Sequence, residues 1–422
     1  MKRSFRAPTL CALALVLIVA GPVFGQAKKV ELNFLEVMTS PARTEVLQKM
    51  ISAYEAANPG VKINLISPPY EQADNKLTLM LTAEEPLDIV EVRDMTIKQH
   101  VTNGRLENLE NYLAGWPGSK TFLSVTNAAS RVVDGKPYFV PQFFYIKALF
   151  VRTDILAKYG IKVMPKTIDD LYAICKKITD ASKNQFGFTL RGKGNAYKTT
   201  DILIAANIPN IDPENIYMTK DGKSIYESPQ FLEAFKSYVD LYKTAVPKDG
   251  INWGFNEQIN AFVSGITPFL VQDPDTVPLL DKQLGRDKYS VIPIPAGKSG
   301  KTYLDYGYAG YGVTSYSKNK QAAWNFIAYM SSAENNAAFC EEYGTLPIHT
   351  TTFEKDSFFS TGAYKAWATE MNSPNRFVFV KYPFSSEKFP GWGQVQEQDM
   401  QSVLLGLMKP EEATKKWAEY WK

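Results

Sequence analysis

The residues of this 422-residue chain best placed to do chemistry are aromatic rings set beside glycines and short polar side chains. "DYGYAGYGV" puts Tyr306 and Tyr308 on one face of an extended strand and Tyr311 on the other, with Gly307, Gly310 and Gly312 between them. Phe143, Phe144 and Tyr145 run consecutively. Trp253 stands beside Gly254, and Trp392 lies between Gly391 and Gly393; both read as exposed rings rather than core. Gln272, Asp273 and Asp275 follow the apolar run "ITPFLV". This mixture suits binding of a polar ligand. Planar rings cover its faces, and fixed donors and acceptors hold its edge.

Catalytic constellations are harder to find. The two histidines, His100 and His349, are far apart and belong to no HExxH or close metal-ligand cluster, and no GxSxG elbow occurs. The glycine-rich "LRGKGNAY", with Arg191 and Tyr197, fits neither a P-loop nor a dinucleotide spacing, and reads as a loop lining a site. No cofactor, metal or catalytic group is implied. Two other classes of function remain open. A secreted glycosidase also needs carboxylates and aromatics around its substrate. A binder of a polyamine or another small polar solute would use Asp273, Asp275, Asp305 and the tyrosines to cage an ammonium group.

The elements that must position these residues alternate. "KVELNFLEV" at 29–37 reads as a strand; Ser40 and Pro41 read as cap and first residue of a helix carrying Val46, Leu47, Met50, Ile51 and Tyr54. "NPG" ends it and "VKINLI" resumes a strand. A second unit repeats the order, with Ala73, Leu77, Met80 and Leu81 on a helix and "LDIVEV" as the strand. Further on, Thr167 caps a helix, Ser228 and Pro229 open another, and Gly265 ends a short one. "YSVIPIP" at 289–295 is confined by its prolines to a sheet edge. The pattern is that of an α/β fold.

Composition sets further bounds. Hydrophobic residues make up 45% and charged residues 22%, the balance of a globular protein, and the length calls for two domains. Lys2, Arg3 and Arg6 precede an apolar run from Leu10 to Ala20 that is too short for a membrane span, and small residues before Gln26 suit a signal peptidase. Residues 1–25 therefore read as a cleavable signal peptide, directing the protein to the periplasm or the exterior. Cys11 lies at the start of the apolar run, not at its end, which argues against a lipoprotein. Loss of residues 1–25 leaves 44 basic and 44 acidic residues, so nothing points to nucleic acid, which needs a concentrated basic surface. Cys175 and Cys340 read as buried free thiols, with a bridge still open.

Taken in order, "ISAYEAANPGVKINLI", "LDIVEV", "VDGKPYFVP", "LFVRTDILAKYGI", "AFVSGITPFLV", "SKNKQAAWNFIAYMSSAENNAAF", "GTLPIHT" and "VLLGLMKPEEATKKW" resemble the extracellular solute-binding proteins of carbohydrate ABC importers, the maltose-binding-protein-like group (family 1). The resemblance spans nearly all of the chain beyond residue 25. It implies a two-lobe periplasmic-binding-protein fold (type II), each lobe a sheet flanked by helices and discontinuous in sequence. One lobe would hold 27–143 and 309–352, the other 147–306 and 355–422, with hinge crossings near 142–147 and 305–310. It implies a sugar, mono- or oligosaccharide, captured between the lobes by hinge closure, and delivery to the permease subunits of an ABC transporter by a monomer that is not an enzyme. By family position Met38 and Thr39 follow the first strand, Tyr70 follows the second, and Arg93 and Asp94 follow "DIVEV". With Phe143, Phe144, Tyr145, Arg191, Tyr197, Trp253, Gln272, Asp273, Asp275, Tyr306, Tyr308 and Trp392, all but Arg93 form the expected ligand-binding set. Asp275 stands roughly where the maltose-binding group has a stacking aromatic, a departure that favours a smaller or more polar ligand than maltose.

Overall fold

The structure is a computed structural model, described for residues 29–194, 196–384 and 386–422. The expected signal peptide lies outside the described residues. Strands are numbered along the chain: β1 Val30–Leu35, β2 Val61–Ile66, β3 Ile89–Arg93, β4 Val140–Ile146, β5 Ala148–Arg152, β6 Ile211–Asp212, β7 Asn215–Thr219, β8 Phe269–Gln272, β9 Tyr289–Ile292, β10 Thr302–Val313 and β11 Phe377–Val380. The chain forms two compact units. The first holds the described residues up to Phe144 with Gly307–Asp356; the second holds Tyr145–Tyr306 with Ser357–Lys422.

In the first unit β1 pairs in parallel with β2 and with β3, the result expected when each strand is followed by a helix. The later half of β10 runs antiparallel to β3, with Gly310 opposite Val92, and β4 pairs with β10. The helix Pro41–Ala57 starts where the sequence placed it. The Ser40 hydroxyl accepts the Arg43 amide at 3.3 Å, and proline takes the first turn, where its missing N–H is no loss. Val46, Leu47, Met50, Ile51 and Tyr54 form its buried face. Leu47 and Met50 are fully buried, and each contributes about 1.5–3 kcal/mol. Gly310 is required by contact: a Cβ there would lie 2.2 Å from the Val140 carbonyl oxygen of β4.

In the second unit β5 is the centre of a three-stranded antiparallel sheet between β8 and β9, so β9, which ends just before Pro293, does lie at an edge. The first four residues of β10 pair in parallel with β11. The helix Ile168–Ile178 opens with a capping box. Thr167 accepts the Asp170 amide at 3.0 Å, and the Asp170 carboxylate accepts the Thr167 amide at the same distance. Its apolar stripe packs on the helix Pro229–Ala245. Gly265, at φ +81°, ends the helix Phe255–Val263.

Cys340 lies in the first unit and Cys175 in the second, both as buried free thiols. Burial pushes the Cys340 thiol up to about 12, which makes it inert as a nucleophile. Among the described residues no helix is long and apolar enough to cross a membrane.

Candidate functional site

In the first unit most of the candidate residues lie on the segments leaving the carboxyl ends of β1, β2 and β3, where open α/β sheets present ligand loops. The loop after β1 is fixed from beneath. Glu91, on β3, accepts the amides of Val37 at 2.8 Å and Met38 at 2.9 Å through one carboxylate oxygen. Its other oxygen accepts from Arg43, which also donates to Glu36 at 2.5 Å. All three side chains are fully buried. Burial opposes the charge on Arg43, but Glu91, Tyr311, Tyr343 and Glu36 outweigh it and hold the guanidinium above its ordinary range. Met38 and Thr39 are half-buried above this network, and the Thr39 hydroxyl has no protein partner.

Beside this loop, Arg93 pairs with Asp74, donates to the Tyr70 hydroxyl at 3.1 Å, reaches the Met38 sulfur at 3.4 Å and lies 5.4 Å from the Tyr70 ring centroid. Tyr70 is 46% exposed, so a clamped ring offers a free face. Asp94 accepts the Met95 amide at 2.9 Å, and its own amide donates to Tyr308. The structure thus brings Met38, Thr39, Tyr70, Arg93, Asp94 and Tyr308 into linked segments of one unit. Tyr308 is largely buried, stacked on Phe139 at 5.8 Å with its edge toward Phe144.

Two of the aromatic expectations are corrected here. Phe143 and Phe144 are fully buried. Phe143 packs on Phe339 and Tyr343, and Phe144 exchanges backbone hydrogen bonds with Leu346. Both faces of β4 are covered, so neither ring is available to a ligand. Tyr145, half-buried, is the accessible member of the run.

In the second unit a charged group gathers around Lys147. Its ammonium donates to Asp273 at 2.8 Å, and both it and Asp273 act electrostatically on Asp275. Burial, reinforced by Asp273, pushes the Asp275 carboxyl up to about 7. Arg191, half-buried, interacts with Asp273, Asp275 and Glu397, although burial leaves its guanidinium below the ordinary range. Lys147 also acts on Asp305, whose other cation, Lys198, donates to it at 2.9 Å. Burial works to raise the Asp305 carboxyl, but Lys198 and Lys147 outweigh it and hold it below the usual range. Gln272 is buried; it donates to Gln258 and accepts the Asp273 amide, so it orients the loop rather than reaching outward.

The remaining rings divide differently from expectation. Trp253 is 9% exposed and donates to Asp249 at 3.1 Å. Its carbonyl accepts the amides of Gly192 and Lys193. A Cβ at Gly192 would meet the Ile251 carbonyl at 2.0 Å, so the glycine-rich loop reflects close backbone packing. Trp392 is fully buried, donates to the Tyr217 hydroxyl at 2.6 Å and packs among Tyr226, Trp417, Tyr420 and Trp421. It is core, not an exposed platform. Its glycine neighbours admit rings: a Cβ at Gly391 would lie 3.2 Å from the Tyr420 hydroxyl, and one at Gly393 would lie 3.4 Å from Tyr197. Tyr197 is itself buried, edge-on to Tyr382 and Phe389. Tyr306 is half-buried against Phe379.

Lys147, Lys198, Asp74 and the Glu36–Arg43–Glu91 network were not singled out by sequence. Lys147 had one signal, a lone cation inside the apolar stretch "FFYIKALF". Arg43 had none, because it sits in a helical turn where an arginine is usually solvated.

A family model described as bacterial extracellular solute-binding protein matches residues 40–337. A Brucella abortus chain named as a binding protein is 27% identical over 98% of this chain and 96% of its own length. The galactooligosaccharide-binding protein of Bacillus subtilis is 22% identical over 97% of this chain and 94% of its own. Among solved structures, the GacH receptor of Streptomyces glaucescens, described unliganded and in complex with acarbose, superimposes with a TM-score of 0.74 at 22% identity, covering 93% of this chain and 97% of that one. At that identity the likeness establishes the fold.

Proposed function

The chain belongs to the bacterial extracellular solute-binding protein family, with the two-lobe type II periplasmic-binding fold, and from that premise we propose that it is the substrate-binding protein of a carbohydrate ABC importer. It takes a neutral mono- or oligosaccharide and hands it to membrane permease subunits. It acts by binding rather than catalysis, as a monomer, in the periplasm or outside the cell, after cleavage of a signal peptide at residues 1–25.

The observation that carries the ligand class is the group around Lys147. Acids and bases alternate there on neighbouring segments, and such groups hold hydroxyls by donating and accepting together. The relatives named for galactooligosaccharide binding and for an acarbose complex support the same class. In the first unit the exposed Tyr70 ring, fixed by Arg93, supplies a face for the C–H side of a sugar, with Asp94, Thr39 and Met38 beside it. Tyr145, Arg191, Asp273, Asp275, Tyr306 and Tyr308 complete the proposed set. The two units are the lobes. The crossings at 144/145, 306/307 and 356/357 are where a hinge would act.

Thermal unfolding against a panel of mono- and oligosaccharides tests this reading. A sugar at a hundred times its dissociation constant adds about 2.7 kcal/mol, a clear rise in Tm. If no sugar shifts the transition while a polyamine does, the carbohydrate assignment fails. Small-angle scattering that does not change at saturating sugar removes the closure step.

A further inference from the structure

One nitrogen of Arg93 serves two acceptors. Nη1 donates to the Tyr70 hydroxyl at 3.1 Å and to the Met38 sulfur at 3.4 Å. The rest of the guanidinium is committed to Asp74: Nε donates to Oδ1 at 3.2 Å, and Nη2 pairs with Oδ2. Asp74 therefore fixes the arginine, and Met38 and Tyr70 compete for Nη1. Neither is a strong acceptor. A thioether sulfur accepts weakly, and a phenol oxygen is neutral. Met38 is half-buried, so its sulfur lies within reach of a small reagent, unlike that of the fully buried Met50. Its backbone is pinned, with the amide donating to Glu91 at 2.9 Å, so a change at the sulfur acts through the side chain alone.

We propose that Met38 is a reversible oxidation switch: conversion of its thioether to the sulfoxide draws Arg93 Nη1 away from the Tyr70 hydroxyl and frees the ring. This rests on the carbohydrate-binding reading of Tyr70 above and adds a means of regulating it. The oxidant is a peroxide. A sulfur lone pair attacks one oxygen of hydrogen peroxide, the S–O bond forms as the O–O bond breaks, and the other oxygen leaves as hydroxide. That hydroxide takes the proton from the transferred oxygen and becomes water. Sulfur is oxidised by two electrons and the peroxide is reduced by two. The sulfoxide oxygen is polar where the thioether was apolar. Rotation about the unbranched side chain brings it to Nη1, where it outcompetes a neutral phenol. Tyr70 is 46% exposed, so its position depends on that hydrogen bond and on the guanidinium 5.4 Å from its centroid. Asp74 holds Arg93 in both states, so the ring moves and the arginine does not. Methionine sulfoxide reductases, one for each sulfur epimer, return the thioether.

The test is mild hydrogen peroxide treatment of the full chain labelled with fluorotyrosine. Peptide mass spectrometry locates the added oxygen. Fluorine NMR follows the Tyr70 resonance, assigned by its loss in Tyr70→Phe. Calorimetric titration with D-glucose, D-galactose and maltose measures binding before and after. Met38 should gain one oxygen, the Tyr70 resonance should move, and the sugar that binds should do so about three- to tenfold more weakly. Reductase treatment should restore both readings. In Met38→Leu, peroxide should change neither the resonance nor that variant's own affinity. In Tyr70→Phe, which lacks the contested hydroxyl, the same oxidation should cost little affinity. Met95 is 59% exposed and will also be oxidised, so Met95→Leu is the control and should respond to peroxide as wild type does. A Met38 that stays unoxidised while Met95 is converted overturns the proposal. So does a Met38 sulfoxide that leaves the Tyr70 resonance or the sugar affinity unchanged, and so does an equal loss of affinity in Met38→Leu. If none of the sugars binds before treatment, the proposed function is what fails, and the Tyr70 resonance still decides whether oxidation frees the ring.

Discussion

Glu91 accepts the backbone amide of Met38 at 2.9 Å, so strand β3 holds the loop that leaves β1. Arg43 makes that arrangement possible. It neutralises Glu91 and Glu36 together inside the core of the first unit, its guanidinium lying between 5.6 and 5.7 Å from the ring centroids of Phe143, Phe339 and Tyr343. Burial raises the Glu91 carboxyl, with Arg43 and the two amides opposing. Removing one partner leaves an uncompensated charge behind. Arg43→Leu should cost about 3–5 kcal/mol in a denaturant titration. Glu91→Gln should cost less, because an amide oxygen still accepts the Val37 and Met38 amides. Equal stability of Arg43→Leu and wild type would mean the network does not hold the loop.

The two tyrosines that bracket Gly310 should part company. Tyr311 is fully buried, edge-on to Phe34 at 4.9 Å, with its hydroxyl 3.4 Å from Arg43. Tyr311→Ala should lose about 3–5 kcal/mol, the cost of emptying an aromatic core position. Tyr308→Phe keeps the stacking on Phe139 and removes only the hydroxyl. It should keep the fold and bind sugar more weakly. Unchanged sugar affinity in Tyr308→Phe would remove that hydroxyl from the site.

Asp201 sets a pH signature. It is fully buried among Gln396, Tyr217 and Tyr382, and burial pushes its carboxyl up to about 7 despite their hydrogen bonds. Between about pH 4 and pH 7 the folded chain keeps a proton that the unfolded chain releases, so this group's contribution to stability falls as pH rises. Compared with Asp201→Asn, wild type should gain about 1 kcal/mol as pH is lowered from 8 to 6. His100 in the first unit works the other way. Burial pushes it down to about 4, so its contribution is complete above about pH 6.5 and is lost as the pH falls toward 4. The comparison therefore has to be made between variants, not on wild type alone. A pH-independent difference between wild type and Asp201→Asn would show that Asp201 stays ionised.

Gly310 should tolerate no side chain. In Gly310→Ala the methyl group would lie 2.2 Å from the Val140 oxygen and 2.6 Å from Pro141 Cα, both backbone atoms. Strands β4 and β10 would have to separate, at a cost of about 1–3 kcal/mol or more. Gly60→Ala, with nothing within 4 Å, is the control and should leave Tm nearly unchanged. A Gly310→Ala variant as stable as that control would contradict the pairing of these strands.

Local chemistry was legible in the sequence. Ser40 and Pro41, Thr167 with Asp170, and Gly265 mark helix ends by groups within four residues of one another, so no distant part of the chain is needed to read them. The alternation of strand and helix likewise announced the parallel pairing of β1 with β2 and β3. The order of short motifs along the chain was enough to indicate the family. Which side of β10 each tyrosine takes followed from a period of two, and Tyr311 does lie in the core.

Tertiary structure decided which polar and aromatic residues are exposed. Trp392 between two glycines looked bare, yet rings from Tyr197 and Tyr420, distant in sequence or one helix away, fill the space those glycines leave. Trp253 beside Gly254 is buried too, with its indole N–H donated to Asp249. Lys147, Asp273 and Asp305 come from segments more than a hundred residues apart or from separate strands, and only folding makes them one electrostatic group. Periodicity and capping are properties of neighbours in the chain. Burial and charge pairing depend on neighbours in space, and a single sequence lists only the former.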